Sequence, residues 1–445
     1  MLQAATYSLS ALGVFAATLA CCAALFVSWQ KNWIRDNLIA IFISVLMVLG
    51  LIIAVGSNNV DQAEGGSLRQ AATGIVYLLS LWYASRLSDG TWISPIKRVP
   101  LSLIALLGFA FLSAFWSAAP DVTIRRAVQF SGLVLFAAAV VQINDSNGLW
   151  RRYLNPTLLW LALGLIVAPF ATEFAYDANG NFRGLSSHKN SWAGIALVAT
   201  ILSALEIKRQ PKSPYLWCAL GVSLLTILLT RSATALSLAA AVVAFGALYA
   251  LSQSRDQLLK GALLVGALLL WTIPFAYLFL TGESPLEAAS ELYFGAVQKE
   301  ATLTGRNVLW STILEHAWLN PVFGNGYGAF WIGDTGPSVA VVASLNWLPV
   351  HSHNGYIDLF NELGGVGVIL FALLVIQHFH NILRVWRLGA HDSAILHLAI
   401  SLAVLGYNFS ETSLLAATHF LWILLIVSVV DVYRLACQEA TGAAK

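Results

Sequence analysis

The sequence predicts an all-α polytopic membrane protein, a bundle of about 12–13 transmembrane helices with one long, partly helical external loop. Of its 445 residues, 58% are hydrophobic and only 10% are charged, and the mean hydropathy is +0.74. A soluble domain carries about 25% charged residues. This composition excludes soluble enzymes and secreted disulfide scaffolds, and a net charge of +2 gives no reason to expect a nucleic-acid partner.

Apolar runs long enough to cross a bilayer recur along the whole chain. A span needs roughly 17–25 apolar residues to cross about 30 Å of hydrocarbon. If the first candidate is not a span, the N-terminus changes side and the rest stays. No span repeats another at a fixed period, so residues 1–445 are treated as a single integral membrane domain. The candidates lie at 5–28, 38–57, 70–85, 100–116, 126–143, 155–173, 190–206, 214–229, 232–251, 259–280, 358–380, 393–409 and 414–433.

The basic residues predict how the bundle is oriented. Most of the 24 Lys and Arg residues fall in one set of alternate loops. Cytoplasmic loops carry the excess of Lys and Arg, so this face should be cytoplasmic and the C-terminus should lie inside. The opposite, external face then holds the segments 174–189, 230–232 and 281–357.

The loop 281–357 is by far the longest connection, and loops beyond about 12–15 residues are usually functional or disordered. Its many tryptophans are not typical of disorder. The segment Arg306–Asn320 has apolar residues at helical spacing and predicts an amphipathic helix that ends at Pro321. We therefore expect the functional site to lie beneath this loop.

Basic side chains occur at widely separated positions on the external face. Arg183 and Lys189 lie within FRGLSSHKN, Arg231 lies in a tight turn, and Arg306 opens the amphipathic helix. Charge near hydrocarbon is costly and tends to be retained for ion pairing or ligand binding. The guanidinium fork fits phosphate oxygens two at a time, so the three arginines, with Lys189 as a further cation, are candidates for binding pyrophosphate. The alternative is that each simply reaches from the interface to water or lipid headgroups.

The segment HSHNGYIDLFNELGG carries the sharpest candidate chemistry. His351 and His353 precede Asn354, which is a good N-cap for the helix that follows. A helix N-terminus disfavours imidazolium, so a histidine there tends to stay neutral and able to accept a proton. Asp358 and Glu362 follow on one helical stripe, where they could orient a histidine or bind sugar hydroxyls. Ordinary interfacial carboxylates are the alternative for both.

The same segment also has a spacing that is typical of metal ligands. His-x-His is a zinc-ligand spacing that His188 or Glu362 could complete. Three arginines on the same face would repel a divalent cation, so we predict no metal and no cofactor. Further along, Gly364, Gly365 and Gly367 predict close helix packing.

Several motifs follow one another in a fixed order on the external face. HKN precedes one span, an arginine lies between two later spans, and TGRNVLW, NPVFGNGYG and HSHNGYIDLFNELGGVG come next. FWSAAPDVTIRRA at 115–127 belongs to the same order. Together they resemble the O-antigen ligase and O-antigen or exopolysaccharide polymerase superfamily from about residue 100 onward, most densely at 301–368. The sequence departs from the family at RSATAL, where a Ser-Arg order is more usual.

The resemblance implies a metal-independent glycosyltransferase in the bacterial inner membrane. Its donor would be a glycan linked to undecaprenyl pyrophosphate, and transfer would occur among membrane lipids at the periplasmic face. By the same resemblance, His353 is the base that activates the acceptor hydroxyl, with His351 as the alternative for this role. Arg231 and Arg306 would bind the pyrophosphate, with Arg183 as a third contact.

The acceptor divides the family. Ligases transfer the glycan to lipid A–core, whereas polymerases transfer it to the next lipid-linked repeat unit. HKNSWAG resembles the exopolysaccharide polymerase branch and favours a polymerase, with a ligase as the alternative. A transporter or a scaffold would have the same composition, but a transporter would place ionisable residues near the middle of its spans.

Overall fold

The chain is all-α over the residues that this computed structural model describes, namely 37–45, 47–48, 74–78, 99–252, 306–332, 336–339, 341 and 349–442. From residue 101 onward the described helices are numbered α1 to α11, and a short 3-10 turn, Ser113–Phe115, follows α1. They are α1 (Leu101–Leu112), α2 (Pro120–Ile143), α3 (Ser146–Val167), α4 (Thr172–Ala175), α5 (Lys189–Arg209), α6 (Pro214–Thr230), α7 (Ala233–Ser252), α8 (Arg306–Ala317), α9 (Gly355–Arg387), α10 (His391–Tyr407) and α11 (Phe420–Gly442).

The predicted membrane class is confirmed. In the described part, four helices are long and apolar enough to cross a membrane: α2, α5, α9 and α11. Four shorter apolar helices, α1, α6, α7 and α10, lie beside them. The predicted spans at 5–28 and 259–280 lie outside the described residues, as do half of the span at 38–57 and most of the span at 70–85.

Local sequence explains where several helices begin and end. The Asn354 side chain caps α9 by accepting from the backbone N–H groups of Tyr356 (3.0 Å) and Ile357 (3.2 Å). The His188 Nδ1 atom accepts from Asn190 N at 3.3 Å and caps α5. At the other end of a helix, α6 stops because Arg231 adopts a left-handed conformation (φ 49°).

Two helices form the centre of the bundle. α5 and α11 are each largely buried, with Trp192 and Trp422 fully enclosed. α9 lies further out and packs against α1, α8, α10 and α11. Hydrogen bonds between helix ends and connections bring one end of each helix to a common end of the bundle, which we call the site end. It contains the starts of α2, α5, α8, α9 and α11 and the ends of α1, α6 and α10.

A buried ion pair fastens the opposite end. In α11, Arg434 Nη2 lies 2.6 Å from Asp431 Oδ1. Arg434 Nη1 also donates to the carbonyls of Val141 (2.6 Å) and Asn144 (2.8 Å), which end α2. Asp431 Oδ2 accepts from Ser146 Oγ at 2.8 Å, at the start of α3. The pair thus satisfies helix-end groups that would otherwise be buried without partners.

The backbone of α9 breaks at Gly364, which has φ 61° and ψ −165°. The segment 321–326 supplies the missing partners: Gly365 N donates to Pro321 O (2.8 Å) and Val366 N donates to Val322 O (3.1 Å). In return, Gly326 N donates to Glu362 O at 2.9 Å. The glycines here were expected to permit close helix packing. Gly364 instead adopts a conformation that only glycine tolerates.

Candidate active site

A tight turn brings two histidines together just before α9. His353 has a left-handed backbone (φ 55°), and its N–H donates to Nδ1 of His351 at 3.2 Å. The two rings meet edge to face with centroids 4.2 Å apart. Burial, and next the neighbouring His353, lowers the pKa of His351 well below its ordinary value of 6.5. His351 is therefore neutral at physiological pH.

Glu411, in the connection between α10 and α11, lies at the centre of the site. Its Oε2 atom is 3.1 Å from Nδ1 of His353, and its Oε1 atom is 3.0 Å from Nη2 of Arg306. Asn190 Nδ2 also donates to Oε1. The carboxylate side chain is only 5% exposed. One buried carboxylate thus joins the starts of α5, α8 and α9.

The electrostatics of this cluster keep Glu411 ionised. Burial alone would raise the pKa of Glu411. The hydrogen bond from His353 and the positive charge of Arg306 help to outweigh burial, and the pKa falls from 4.5 to about 2. An ionised carboxylate that accepts from Nδ1–H fixes the tautomer of His353 and leaves Nε2 with a lone pair. The arrangement is that of a histidine base with an orienting carboxylate.

Arg306, predicted to bind pyrophosphate, is tied to the same connection. Besides its pair with Glu411, its Nη1 atom donates to Ser410 O at 2.6 Å. The hydroxyl of Ser410 in turn is hydrogen-bonded to the hydroxyl of Thr234, at the start of α7. Arg306 and the start of α7 therefore both form hydrogen bonds with the α10–α11 connection.

Asp358 is buried and orients the histidine turn. Its carboxylate accepts from Ser352 N (3.2–3.3 Å), which lies between the two histidines, and from Trp331 Nε1 (2.9 Å). It also accepts from Thr412 Oγ1 at 2.7 Å, next to Glu411. Asp358 thus fixes the histidine turn and the carboxylate-bearing connection to one point.

Glu362 lies one turn deeper and faces the glycine-rich segment. Its Oε2 atom accepts from Gly328 N at 2.8 Å. Arg126 of α2 lies near enough to interact electrostatically with this carboxyl group. The segment's three glycines, 324, 326 and 328, all have positive φ and pack against α9, Ser117 in the α1–α2 connection and Arg126, respectively. Glu362 therefore contacts this segment.

The remaining predicted cations lie around the same end. Arg183 Nε donates to Phe174 O at 2.9 Å, and its guanidinium lies over the Phe174 ring. Phe182 N donates to Leu229 O at 3.1 Å, which sets this loop against the end of α6 beside the exposed Arg231. Lys189 is the first residue of α5. Arg183, Arg231 and Arg306 are thus carried by elements that contact one another or the α10–α11 connection.

The motifs do not supply Glu411 as a candidate residue, and they assign no role to Asn190. Asn190 ends the HKN motif, whereas Glu411 stands in NFSETS, outside any motif that was singled out. A lone acidic residue in a short connection on the face that bears the histidines was the only signal available.

The cluster also contains a group of metal-ligating atoms. His351, His353 and Glu411 each offer one such atom, and the three lie within 4.8 Å of one another. This group does not include His188 or Glu362, the two residues that could complete a zinc site by sequence spacing.

Comparisons with known proteins give two matches. The O-antigen ligase family model matches residues 216–372, a range that contains Arg231, Arg306 and both histidines of the turn. The chain is also 25% identical over 334 residues to the exopolysaccharide production protein ExoQ of Rhizobium meliloti (strain 1021), covering 73% of this chain and 74% of that protein. The resemblance to the O-antigen ligase and polymerase superfamily is therefore confirmed. At this coarse level the two matches support a membrane enzyme.

Proposed function

We propose that the protein is a membrane glycosyltransferase that polymerises lipid-linked repeat units of a bacterial surface polysaccharide. It would move a glycan from undecaprenyl pyrophosphate to a hydroxyl of the next lipid-linked unit. The observation that carries this proposal is the pair formed by His353 Nδ1 and the ionised Glu411, 3.1 Å apart and adjacent to Arg306.

The pair can perform the proton transfer that glycosyl transfer requires. Nε2 of His353 accepts the proton of the acceptor hydroxyl while the acceptor oxygen bonds to the anomeric carbon of the donor. The bond from that carbon to the pyrophosphate oxygen breaks, and the leaving group departs with the electron pair. Glu411 stabilises the imidazolium that forms, because the carboxylate accepts from Nδ1–H throughout.

The arginines supply what the leaving group needs. Negative charge grows on the pyrophosphate as its bond breaks, and fixed cations stabilise that charge in the transition state. Arg306 lies next to the base, and Arg183 and Arg231 lie on adjoining loops. Two of the five N–H donors of Arg306 bind the α10–α11 connection, and this fixes the plane of the guanidinium.

The site end is proposed to face the periplasm. The basic loops of the whole sequence favour the opposite end as cytoplasmic. Large exposed aromatic side chains lie at the site end, among them Phe115, Trp116 and Phe323. Such residues are typical of the membrane–water interface, where a lipid pyrophosphate headgroup would lie.

A ligase is the second candidate, because the matching family model is described as O-antigen ligase. The name of the similar ExoQ protein, an exopolysaccharide production protein, favours the polymerase, as does HKNSWAG. The two reactions differ only in the acceptor, lipid A–core for the ligase and a lipid-linked unit for the polymerase.

The deciding experiment gives the purified protein an undecaprenyl-pyrophosphate-linked repeat unit in the presence of EDTA. A polymerase yields a ladder of longer lipid-linked chains, and His353→Ala yields none while remaining folded. Product only after lipid A–core is added would identify a ligase. No transfer to either acceptor, with flux of the lipid-linked unit across a proteoliposome membrane, would identify a transporter.

A further inference from the structure

The cluster around Glu411 has the donor set of a transition-metal site. One nitrogen from each of His351 and His353 and one oxygen of Glu411 lie within 4.8 Å of one another. The ring of His188 is also near, with its centroid 6.4 Å from that of His353. Imidazole and carboxylate together suit Zn²⁺ and similar ions, whereas Mg²⁺ and Ca²⁺ prefer oxygen ligands alone.

The histidine turn brings the two imidazoles to the same side. The left-handed backbone of His353 sets its ring against that of His351, with centroids 4.2 Å apart. Asp358 holds the turn through Ser352 N, so the two rings are preorganised next to the carboxylate. A preorganised ligand pair lowers the entropic cost of binding a cation.

The two oxygens of Glu411 have different surroundings. Oε1 accepts from Arg306 and Asn190, whereas Oε2 faces Nδ1 of His353. Ligands of a tetrahedral zinc ion lie about 3.4 Å apart, so closing the group requires side-chain movements on the order of 1 Å. The charge of Arg306 opposes a cation here, but the carboxylate lies between the two and screens that repulsion.

We propose that His351, His353 and Glu411 form an inhibitory binding site for Zn²⁺ or a similar transition-metal ion. The cation takes the place of the proton between Nδ1 of His353 and Oε2 of Glu411, and the neutral ring then carries its proton on Nε2, which leaves that atom without a lone pair. With its ring held by the metal, His353 no longer accepts a proton from the acceptor hydroxyl. Binding is independent of the reaction, whereas the inhibitory effect rests on the proposed function.

Binding is tested without any substrate, which separates it from the proposed function. The full-length protein, with its purification tag removed, is titrated with Co²⁺ in nanodiscs, and the visible absorption of tetrahedral cobalt is followed. We expect one ion per chain, displaced by Zn²⁺, with at least tenfold weaker binding in His351→Asn. His380→Asn, which removes an exposed histidine from α9 towards its other end, is the matched control and should bind like the wild type. Equal affinity in His351→Asn, or no cobalt spectrum at all, would overturn the site.

Two further measurements use the wild type, so they do not depend on the folding of a variant. X-ray absorption of bound zinc should show two imidazole ligands, and a shell of oxygens alone would contradict the site. In the transfer assay, stoichiometric Zn²⁺ should lower the rate at least tenfold and EDTA should restore it. An unchanged rate would overturn the inhibitory role, and a rate that requires zinc would overturn both this role and metal-independent transfer.

Discussion

Arg306 and Glu411 form an ion pair with a distance of 3.0 Å between Nη2 and Oε1. The two residues are 105 positions apart in sequence, and their pair joins the start of α8 to the connection between α10 and α11. Both side chains are largely buried, with 14% and 5% of their surfaces exposed. Removing one partner of such a pair leaves an uncompensated buried charge, which is more damaging than the loss of a surface pair. The pair therefore couples helix α8 to the proposed base.

We expect Glu411→Gln to lower the rate constant for transfer by about 100-fold or more. The amide keeps the shape of the side chain but cannot stabilise an imidazolium on His353, and general-base catalysis contributes about 10²–10⁴ in rate. The rate is measured with the lipid-linked repeat unit as substrate. Glu315→Gln, the same change at an exposed position of α8, should leave the rate unchanged. A fully active Glu411→Gln protein would rule out the carboxylate–histidine pair as the base.

Arg306→Lys should lower kcat/KM by about 10–100-fold. An ammonium group is a single point charge and cannot bind Glu411 and Ser410 O at once while facing a pyrophosphate. Arg125→Lys, an exposed position in the first turns of α2, is the matched control. The kinetics are measured over a range of donor concentrations. Equal kcat/KM for Arg306→Lys and the wild type would exclude a role for the planar fork.

Acid should destabilise the protein partly through Glu411. The folded pKa of about 2 lies below the ordinary value of 4.5, so the contribution to the free energy of unfolding is complete above pH 4.5. It is lost as the pH falls from there towards 2, because the unfolded chain takes up the proton first. Thermal unfolding in detergent with EDTA should show a steeper fall of Tm in this range for the wild type than for Glu411→Gln. Parallel curves for the two proteins would contradict the lowered pKa.

Gly364→Ala should prevent normal folding of the α9 region. A Cβ atom there would lie 2.5 Å from the backbone of Val322, and the conformation itself costs a non-glycine residue about 1–3 kcal/mol. Gly365→Ala is the matched control, since its Cβ would meet only Pro321 O at an ordinary 3.5 Å. The yield of monodisperse protein and its Tm are measured for both. Wild-type values for Gly364→Ala would show that the break in α9 is not required.

Much of the fold could be predicted because hydrophobic length and helix-capping chemistry are local properties. The predicted span at 190–206 corresponds to α5 (Lys189–Arg209), and Asn354 caps α9 as expected. The amphipathic helix predicted at Arg306–Asn320 is α8, which ends at Ala317.

Other features depend on contacts between distant segments and could not be read from spacing. Glu411 meets His353 only because the α10–α11 connection folds against the start of α9. The break at Gly364 likewise depends on partners from 321–326. The sequence allows Asp358 to be either an orienting group or an ordinary interfacial carboxylate. Its carboxylate accepts a hydrogen bond from Ser352 N, and this contact depends on how the turn packs against α9.

The exchange of backbone hydrogen bonds between α9 and the segment 321–326 has a consequence for engineering. The segment 321–326 completes a helix inside the bundle, so the segment and the helix form one cooperative unit. A chimera that imports the loop of a relative to alter acceptor choice must also import residues 361–366 with it. A graft that stops short of them would leave buried amides of α9 without acceptors, and the chain would fail at assembly before its specificity could be measured.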